Sequence, residues 1–463
     1  MSAFQLTNLT RQVEIGANCY LLEAAGKRIV LDCGAHPKFE GLDTLPLLAL
    51  LKGRPLDAIV LSHAHQDHLG SLPVLMRQHP ETPVYLTEPT LQLADVMLHN
   101  SVNVMLKRKE AGQSDYPLFT HKEVTACVRR FRSVPLHVAF TLNGERLRPN
   151  APLGPDEVSL QFFDAGHILG SASILFRCGG ESLLYSGDVN FQDQSLMQGA
   201  RLPEQNIDTL ILESTRGATP EPPGFSREAE VLRFAAAIRE VFAQGGSVLI
   251  PVFALGKTQE LLTMIHGLRR KGLLPECPLY IGGLGTKLTE IHDRLASASH
   301  RQHPGLDLLD SVAPFTLSGR EVNQFPIRPG RIYALSSGMM TENTLSNVIA
   351  SQFLPNPGHG IFFVGYADPE SPAGRLRCAP HGAPFMVSPT SEPEVLRCRV
   401  ETFAFSAHGS RESLLGYLTK TAPKKIVLVH GDQPAIDSMS ASAREALPDS
   451  QVLVPLPGIP LPL

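Results

Sequence analysis

Three histidines and an aspartate crowd into six residues of Val60-Leu-Ser-His63-Ala-His65-Gln-Asp67-His68-Leu-Gly70. The run follows an apolar strand and precedes a helix-forming stretch, so a loop there can aim alternate side chains in two directions. One turn can then serve two adjacent metal ions. Imidazole nitrogen with carboxylate oxygen suits Zn²⁺ first, then Mn²⁺ or iron. The bland reading is a chance run of polar loop residues. One loop cannot close two metal sites, so further donors must come from afar. His167 in Asp164-Ala-Gly-His167, Asp188 in Tyr185-Ser-Gly-Asp188 and His430 in Val427-Leu-Val-His430 each end an apolar run. Any one of them alone would more often be a structural or capping residue; together they form a candidate ligand set.

The elements that must position these donors are short. Arg28–Asp32, Ala58–Ser62 and Val158–Asp164 are apolar, β-branched runs closed by Gly, Asp or His, which predicts interior strands. Leu91, Ala94, Met97, Leu98, Val102 and Met105 recur at spacings of three and four, which predicts an amphipathic helix over 91–109. After a Pro/Gly-rich stretch at 216–226 the pattern becomes helix (227–244), strand (247–252), helix (257–271), strand (279–281), a βαβ signature of a parallel sheet flanked by helices. Strand-like 400–405, helical 411–418 and strand-like 425–429 then resemble the first part again. The chain reads as one discontinuous domain, 1–209 and 396–463, with a second domain, 210–395, inserted into it.

These motifs, in this order, resemble the metallo-β-lactamase superfamily, over essentially the whole chain. The resemblance implies an α/β fold: an αββα sandwich with a metal centre along one sheet edge. By it, one metal takes His63, His65, His167 and Asp188, and the other takes Asp67, His68, Asp188 and His430, with Asp188 bridging. Asp32 in Val-Leu-Asp32-Cys-Gly resembles the carboxylate that positions the histidine loop from behind. The second half resembles the β-CASP nucleases. Leu-Glu213-Ser-Thr-Arg-Gly217 matches their E-S-T-x-G motif and Phe405-Ser-Ala-His408 their F-S-A-H motif, with His430 22 residues further on. Pro251–Lys257, Ser336-Ser337-Gly338-Met339 and Gly374-Arg375-Leu376 match further landmarks. Members with histidine in the closing motif mostly act on RNA, so His430 tilts the expectation to RNA. Three segments depart from the family pattern, at 281–286, 340–343 and 365–375, and all lie in the inserted domain.

The expected activity is a zinc-dependent ribonuclease carrying two Zn²⁺ per chain, with Mn²⁺ as the alternative. Two metals roughly 3.5–4 Å apart lower the pKa of water to about 7 and neutralise phosphate charge; hydroxide attack on phosphorus with departure of the 3′-oxygen would leave a 5′-phosphate and a 3′-hydroxyl. Asp67, Glu213, His408 and Asp32 are the expected catalytic group: His408 hydrogen-bonds the phosphate or protonates the leaving oxygen, and the resemblance implies that Glu213 orients it. Ser337, Gly338, Met339, Lys257 and Arg375 are the expected substrate contacts. Gly256-Lys257-Thr258 superficially suggests a phosphate loop, but Pro251 occupies the position of its leading glycine. The alternatives are a hydrolase of DNA or of a small (phospho)ester, and a non-catalytic scaffold.

Composition bounds the partners. The 463 residues carry 41 Lys+Arg against 45 Asp+Glu, a net charge of −4, so no general basic coat attracts nucleic acid. Single-stranded RNA, the expected partner, must be held by metals and placed cations. Trp is absent, so stacking falls to other rings. Seven cysteines, odd in number and never in a C-x-x-C pair, argue against a disulfide framework and a thiolate zinc ribbon. No apolar run reaches membrane-spanning length, and the first residues show no leader pattern. A soluble cytoplasmic protein is expected, with a homodimer open as its assembly.

Overall fold

Runs such as Leu210-Ile-Leu212 and Ile426-Val-Leu428 are too short for helices and too uniformly apolar for exposed strands, so both their faces must be covered. The computed structural model describes residues 3–463 apart from 111, 113, 114, 149–152, 155, 320, 321, 323, 324 and 390. It divides into two compact units, one of Met1–Asp193, Gln198–Glu221 and His408–Leu463, the other of Gln194–Met197 and Pro222–Ala407.

Two seven-stranded sheets make the first unit, counted among the described residues. In one, Pro460–Pro462, Phe4–Asn8, Tyr20–Ala24 and Lys27–Leu31 run antiparallel, and Ala58–Val60, Val84–Leu86 and Phe131–Ser133 continue in parallel. In the other, Gln451–Leu453, Lys425–Val429, Thr209–Glu213 and Glu181–Tyr185 are parallel, and Ala172–Cys178, Ser159–Asp164 and Ala139–Thr141 follow antiparallel. Leu22, Ile29, Leu31 and Val60 from the first sheet share one core with Phe162, Ile174, Tyr185, Ile211 and Val427 from the second. The alternate residues Leu184, Leu210, Leu212, Ile426 and Leu428 point the other way, as the two-residue period of a strand requires. They pack on Leu414 and Leu418 of helix Arg411–Thr421 and on Ile436 and Met439 of helix Gln433–Ala446. The helix expected at 91–109 spans Glu88–Glu110, and its buried face includes Leu93 in place of Leu91.

A six-stranded parallel sheet forms the second unit, in the order Phe315–Leu317, Leu279–Gly282, Ile332–Leu335, Val248–Pro251, Gly360–Phe363, Arg399–Thr402. The unit boundaries fall later than the expected 210 and 396. Thr209–Glu213 lies between Glu181–Tyr185 and Lys425–Val429 inside the first unit, and Arg399–Thr402 pairs with Gly360–Phe363 inside the second. An apolar run does not reveal which ladder it will join.

Glu260 is a buried carboxylate of this second unit. It accepts the N–H groups of Ser195 (2.8 Å) and Leu196 (2.7 Å) and pairs with Arg227 at 2.5 Å. Burial alone would raise its pKa, but Arg227, Lys257 and the two N–H groups hold it below its ordinary 4.5. The resulting stabilisation is present above that value and lost as the pH falls into the acid range. Glu260→Ala leaves Arg227 and two N–H donors without their acceptor, and is expected to destabilise the unit by about 3–5 kcal/mol. A lowered urea midpoint at pH 7, with a smaller difference from wild type in acid, is the result to look for.

Candidate metal centre

Every donor singled out from the sequence follows a strand end of the first unit. Ser159–Asp164, Glu181–Tyr185, Thr209–Glu213 and Lys425–Val429 point the same way in one sheet, so His167, Asp188, Glu213 and His430 emerge along one edge. In the other sheet Lys27–Leu31 and Ala58–Val60 are parallel neighbours, which puts Asp32 beside the histidine loop. Two of these exits adopt left-handed backbone although they are not glycine: Asp32 has φ +55° and His430 φ +51°. Such conformations persist only where the surroundings over-determine them, and they concentrate at functional sites. Gly187, at φ +53°, is required for a second reason: a Cβ there would lie 2.7 Å from Ser62 Cβ.

The donors form two groups. His63 Nε2 and His167 Nε2 each lie 3.1 Å from His65 Nδ1, and Asp188 Oδ2 is 3.5 Å from His63 and 3.6 Å from His167. Four ligands held tetrahedrally at about 2.0–2.1 Å from one ion stand about 3.4 Å apart, so this set fits a zinc-sized cation. In the second group Asp67 Oδ2 is 3.8 Å from His68 Nε2 and 3.5 Å from His430 Nε2. Asp188 turns its other oxygen to that side, with Oδ1 3.3 Å from His68 Nε2 and 2.7 Å from His430 Nδ1. Asp188 Oδ1 and His430 Nε2 are buried without a hydrogen bond of acceptable geometry. Orphaned buried groups among nitrogen and oxygen donors fit a cation, and the donor set suits Zn²⁺.

Charge in the cluster is coupled. Burial and the neighbouring histidines hold His63 well below the usual histidine range, which keeps it a neutral donor. Burial would lower His68 and His430 as well, but Asp188 with Asp32 or Asp67 overrides it, raising His68 well above its ordinary value and His430 to about 10. Burial opposes the charge on Asp188, yet His430, His68 and His408 hold it well below the carboxylate range. A divalent ion would take over this counter-charge and release the histidine protons.

Asp32 does not face the donors directly. It is fully buried and accepts four hydrogen bonds: from Ser62 N–H (2.7 Å), Ser62 Oγ (2.7 Å), Tyr185 O–H (2.6 Å) and His68 Nδ1 (2.7 Å). The last fixes His68 with Nε2 turned towards the donor group. Glu213 and His408 form a pair beside Asp188. His408 Nδ1 lies 3.1 Å from both Glu213 oxygens and 3.9 Å from Asp188 Oδ2. The N–H groups of Val189 (2.8 Å) and Thr215 (3.3 Å) pin the carboxylate in turn. Burial would lower the His408 pKa, but Glu213 and then Asp188 raise it.

The five expected substrate contacts all belong to the second unit. Lys257 starts helix Lys257–Arg270, and its ammonium donates to the Phe405 carbonyl; it is therefore not an uncommitted cation. Lys257 and Gly338 line a shallow surface depression with Phe253 and Tyr366. The Ser337 hydroxyl engages Thr341 (2.9 Å), the Met339 carbonyl caps Ala373 N–H (3.1 Å), and the Arg375 guanidinium stacks over Phe385 at 5.9 Å. Sequence reasoning missed Ser62, Tyr185 and Asn18, which hold the histidine loop. Tyr185 stands three residues before Asp188 on the inward face of its strand, a signal visible only once the register is known.

A sheet edge lined with histidine and aspartate in two groups defines a metal-dependent hydrolase, and divalent-metal binding comes with that class. Models of three families match the chain: the metallo-beta-lactamase superfamily over residues 13–234, the Beta-Casp domain over 258–376, and the Zn-dependent metallo-hydrolase RNA specificity domain over 394–455. The chain belongs to the metallo-β-lactamase superfamily, in its β-CASP branch, with the β-CASP domain inserted in the αββα sandwich. It is 27% identical to cleavage and polyadenylation specificity factor 73 of Drosophila melanogaster over 93% of its own length and 60% of that protein. It is also 27% identical to endoribonuclease ysh1 of Schizosaccharomyces pombe (93% and 54%) and to transcription termination factor FttA of Cenarchaeum symbiosum (96% and 68%). The chain thus spans little more than half the length of the first two relatives. A solved structure of a protein of unknown function from Enterococcus faecalis shares the fold, with a TM-score of 0.54 at 12% identity over 99% of this chain and 100% of that one. No helix among the described residues is long and apolar enough to cross a membrane.

Proposed function

We propose that the chain is a zinc-dependent ribonuclease that hydrolyses phosphodiester bonds of single-stranded RNA and leaves a 5′-phosphate and a 3′-hydroxyl. The observation that carries this reading is Asp188, which offers one oxygen to each of two donor groups while the His408–Glu213 pair stands beside it. Relatives named as endoribonucleases support RNA as the substrate and endonucleolytic cleavage. His63, His65, His167 and Asp188 would hold one zinc ion, and Asp67, His68, His430 and Asp188 the other. The chemistry such ions supply when bound is Lewis acidity: a lowered water pKa and neutralisation of phosphate charge.

The chain's own residues do the rest. Asp67, beside His430, accepts a hydrogen bond from the attacking water in this reading. Glu213 holds His408 by Nδ1, so Nε2 is the nitrogen turned towards substrate, and from there it delivers a proton to the leaving 3′-oxygen. Asp32 keeps His68 in one tautomer. The Ser337–Met339 loop, Lys257 and Arg375 are assigned to the RNA backbone, Lys257 acting through the Phe405 segment it holds. Seven cysteines, all unpaired, agree with a reduced cytoplasmic setting.

Zinc-loaded protein incubated with labelled single-stranded RNA and DNA of one sequence is expected to cut the RNA to 5′-phosphate products and to spare the DNA. Turnover of neither polymer, with activity on a small ester, would sink the ribonuclease reading. Zinc content well under one ion per chain would favour a non-catalytic scaffold.

A further inference from the structure

Asn18 belongs to neither donor group and matches none of the motifs above, yet it is buried against the histidine loop at 1% exposure. Its backbone N–H donates to Asp67 O (2.8 Å), and its carbonyl accepts from Gly34 N–H (2.9 Å), so it clasps the loops that carry Asp32 and the histidines. Tyr20 O–H donates to its Oδ1 at 3.1 Å. With the oxygen engaged, Nδ2 faces two acceptors, Gly16 O at 3.4 Å and His68 Nε2 at 3.2 Å. His68 Nδ1 is committed to Asp32, so in the neutral imidazole that a cation requires it is Nε2 that carries the lone pair.

That lone pair has two claimants. An imidazole nitrogen that coordinates a cation cannot also accept a hydrogen bond, because it has one lone pair to give. Once Nε2 serves as a ligand, the Asn18 N–H is a buried donor in need of another acceptor, and buried donors are costly to leave unpaired. An anionic ligand of the centre would supply such an acceptor. We propose that Asn18 is a substrate-contacting residue whose side-chain N–H donates to a phosphate oxygen at the Asp67–His68–His430 side of the centre. The proposal rests on the reading of these residues as a metal centre for phosphodiesters. It adds a fixed, uncharged donor to a site otherwise built from metal ligands and one histidine pair, at a point where negative charge accumulates.

The test uses the full-length chain loaded with zinc, with inorganic phosphate as the probe. Asn18→Asp keeps the shape and the acceptor for Tyr20 but replaces the donor with an acceptor; Asn18→Ala removes both. Both are expected to retain their zinc and to bind phosphate on the order of tenfold to a hundredfold more weakly, with Asn18→Asp the weaker binder. Their kcat on RNA should fall on the order of 10²-fold. Tyr20→Phe, which spares Asn18 and frees its amide to rotate, should weaken phosphate binding in the same direction by several-fold. Variants that keep wild-type phosphate affinity, or that lose zinc from the centre, would overturn the assignment. Should wild-type protein with its zinc take up no phosphate, the metal-centre reading itself fails, a result distinct from a failure of Asn18 alone.

Discussion

Asp188→Ala is expected to abolish RNA cleavage, by at least about 10³-fold, because it removes a charge on which both donor groups depend. Asp188 is almost wholly buried, its Oδ2 within 3.5–3.6 Å of His63 and His167 and its Oδ1 within 3.3 Å of His68. Without it the first group keeps His63, His65 and His167, and the second keeps Asp67, His68 and His430. Five histidine nitrogens then converge with a single carboxylate to offset an incoming divalent charge. Metal should be lost along with activity, and elemental analysis should show zinc falling to a small fraction of the wild-type content. The fold should survive, since the histidines that Asp188 keeps charged can become neutral when it is gone. Asp188→Asn, equal in shape and lacking the charge, separates charge from packing and should be nearly as inactive. Two retained ions with a rate within tenfold of wild type would remove Asp188 from the centre.

His408→Ala should behave differently. It is expected to lower kcat by about 10²–10⁴-fold, the usual range for a general acid, while the zinc stays bound. The pairing with Glu213 sets the pH dependence. Burial works against the charged imidazolium, but Glu213 and Asp188 raise the pKa above its ordinary value, so the protonated form persists to higher pH. An acid required in that form gives a rate that declines as the pH rises through the raised pKa. Glu213→Gln removes that counter-charge, lowers the His408 pKa, and should move the decline towards lower pH. Asp188, Glu213 and His408 also lie close enough to form a donor trio of their own. Zinc analysis is therefore decisive: loss of an ion in His408→Ala would make His408 a ligand and would transfer the proton delivery to another group.

Much of this centre was legible before any fold was known, for a local reason. In H-x-H-x-D-H the donors sit one or two residues apart, so whatever the surrounding structure, one turn must hold them together. Asp188 and His430 were legible less directly, as ligand-type residues at the ends of apolar runs, where a strand hands its chain to a loop. The departures were long-range. Lys257 was read as a contact for RNA; what no local pattern shows is that its ammonium donates to the carbonyl of Phe405, 148 residues away. Leu210–Glu213 was placed in the inserted domain, and hydrogen bonding to Lys425–Val429 places it in the sandwich. Asn18 carried no signal, since an asparagine before a strand has many uses and its importance lies in which side chains surround it.

By itself the sequence determined the donor types, their grouping on one loop and the strands that end in the remaining candidate donors, because residue identity and short-range spacing are local properties. Only the tertiary structure decided which oxygen of Asp188 faces which group, that Tyr185 and Ser62 brace Asp32, and that Asn18 reaches His68. Those facts follow from strand register and sheet stacking, which bring residues 30 to 153 positions apart to within hydrogen-bond distance and which no local pattern encodes.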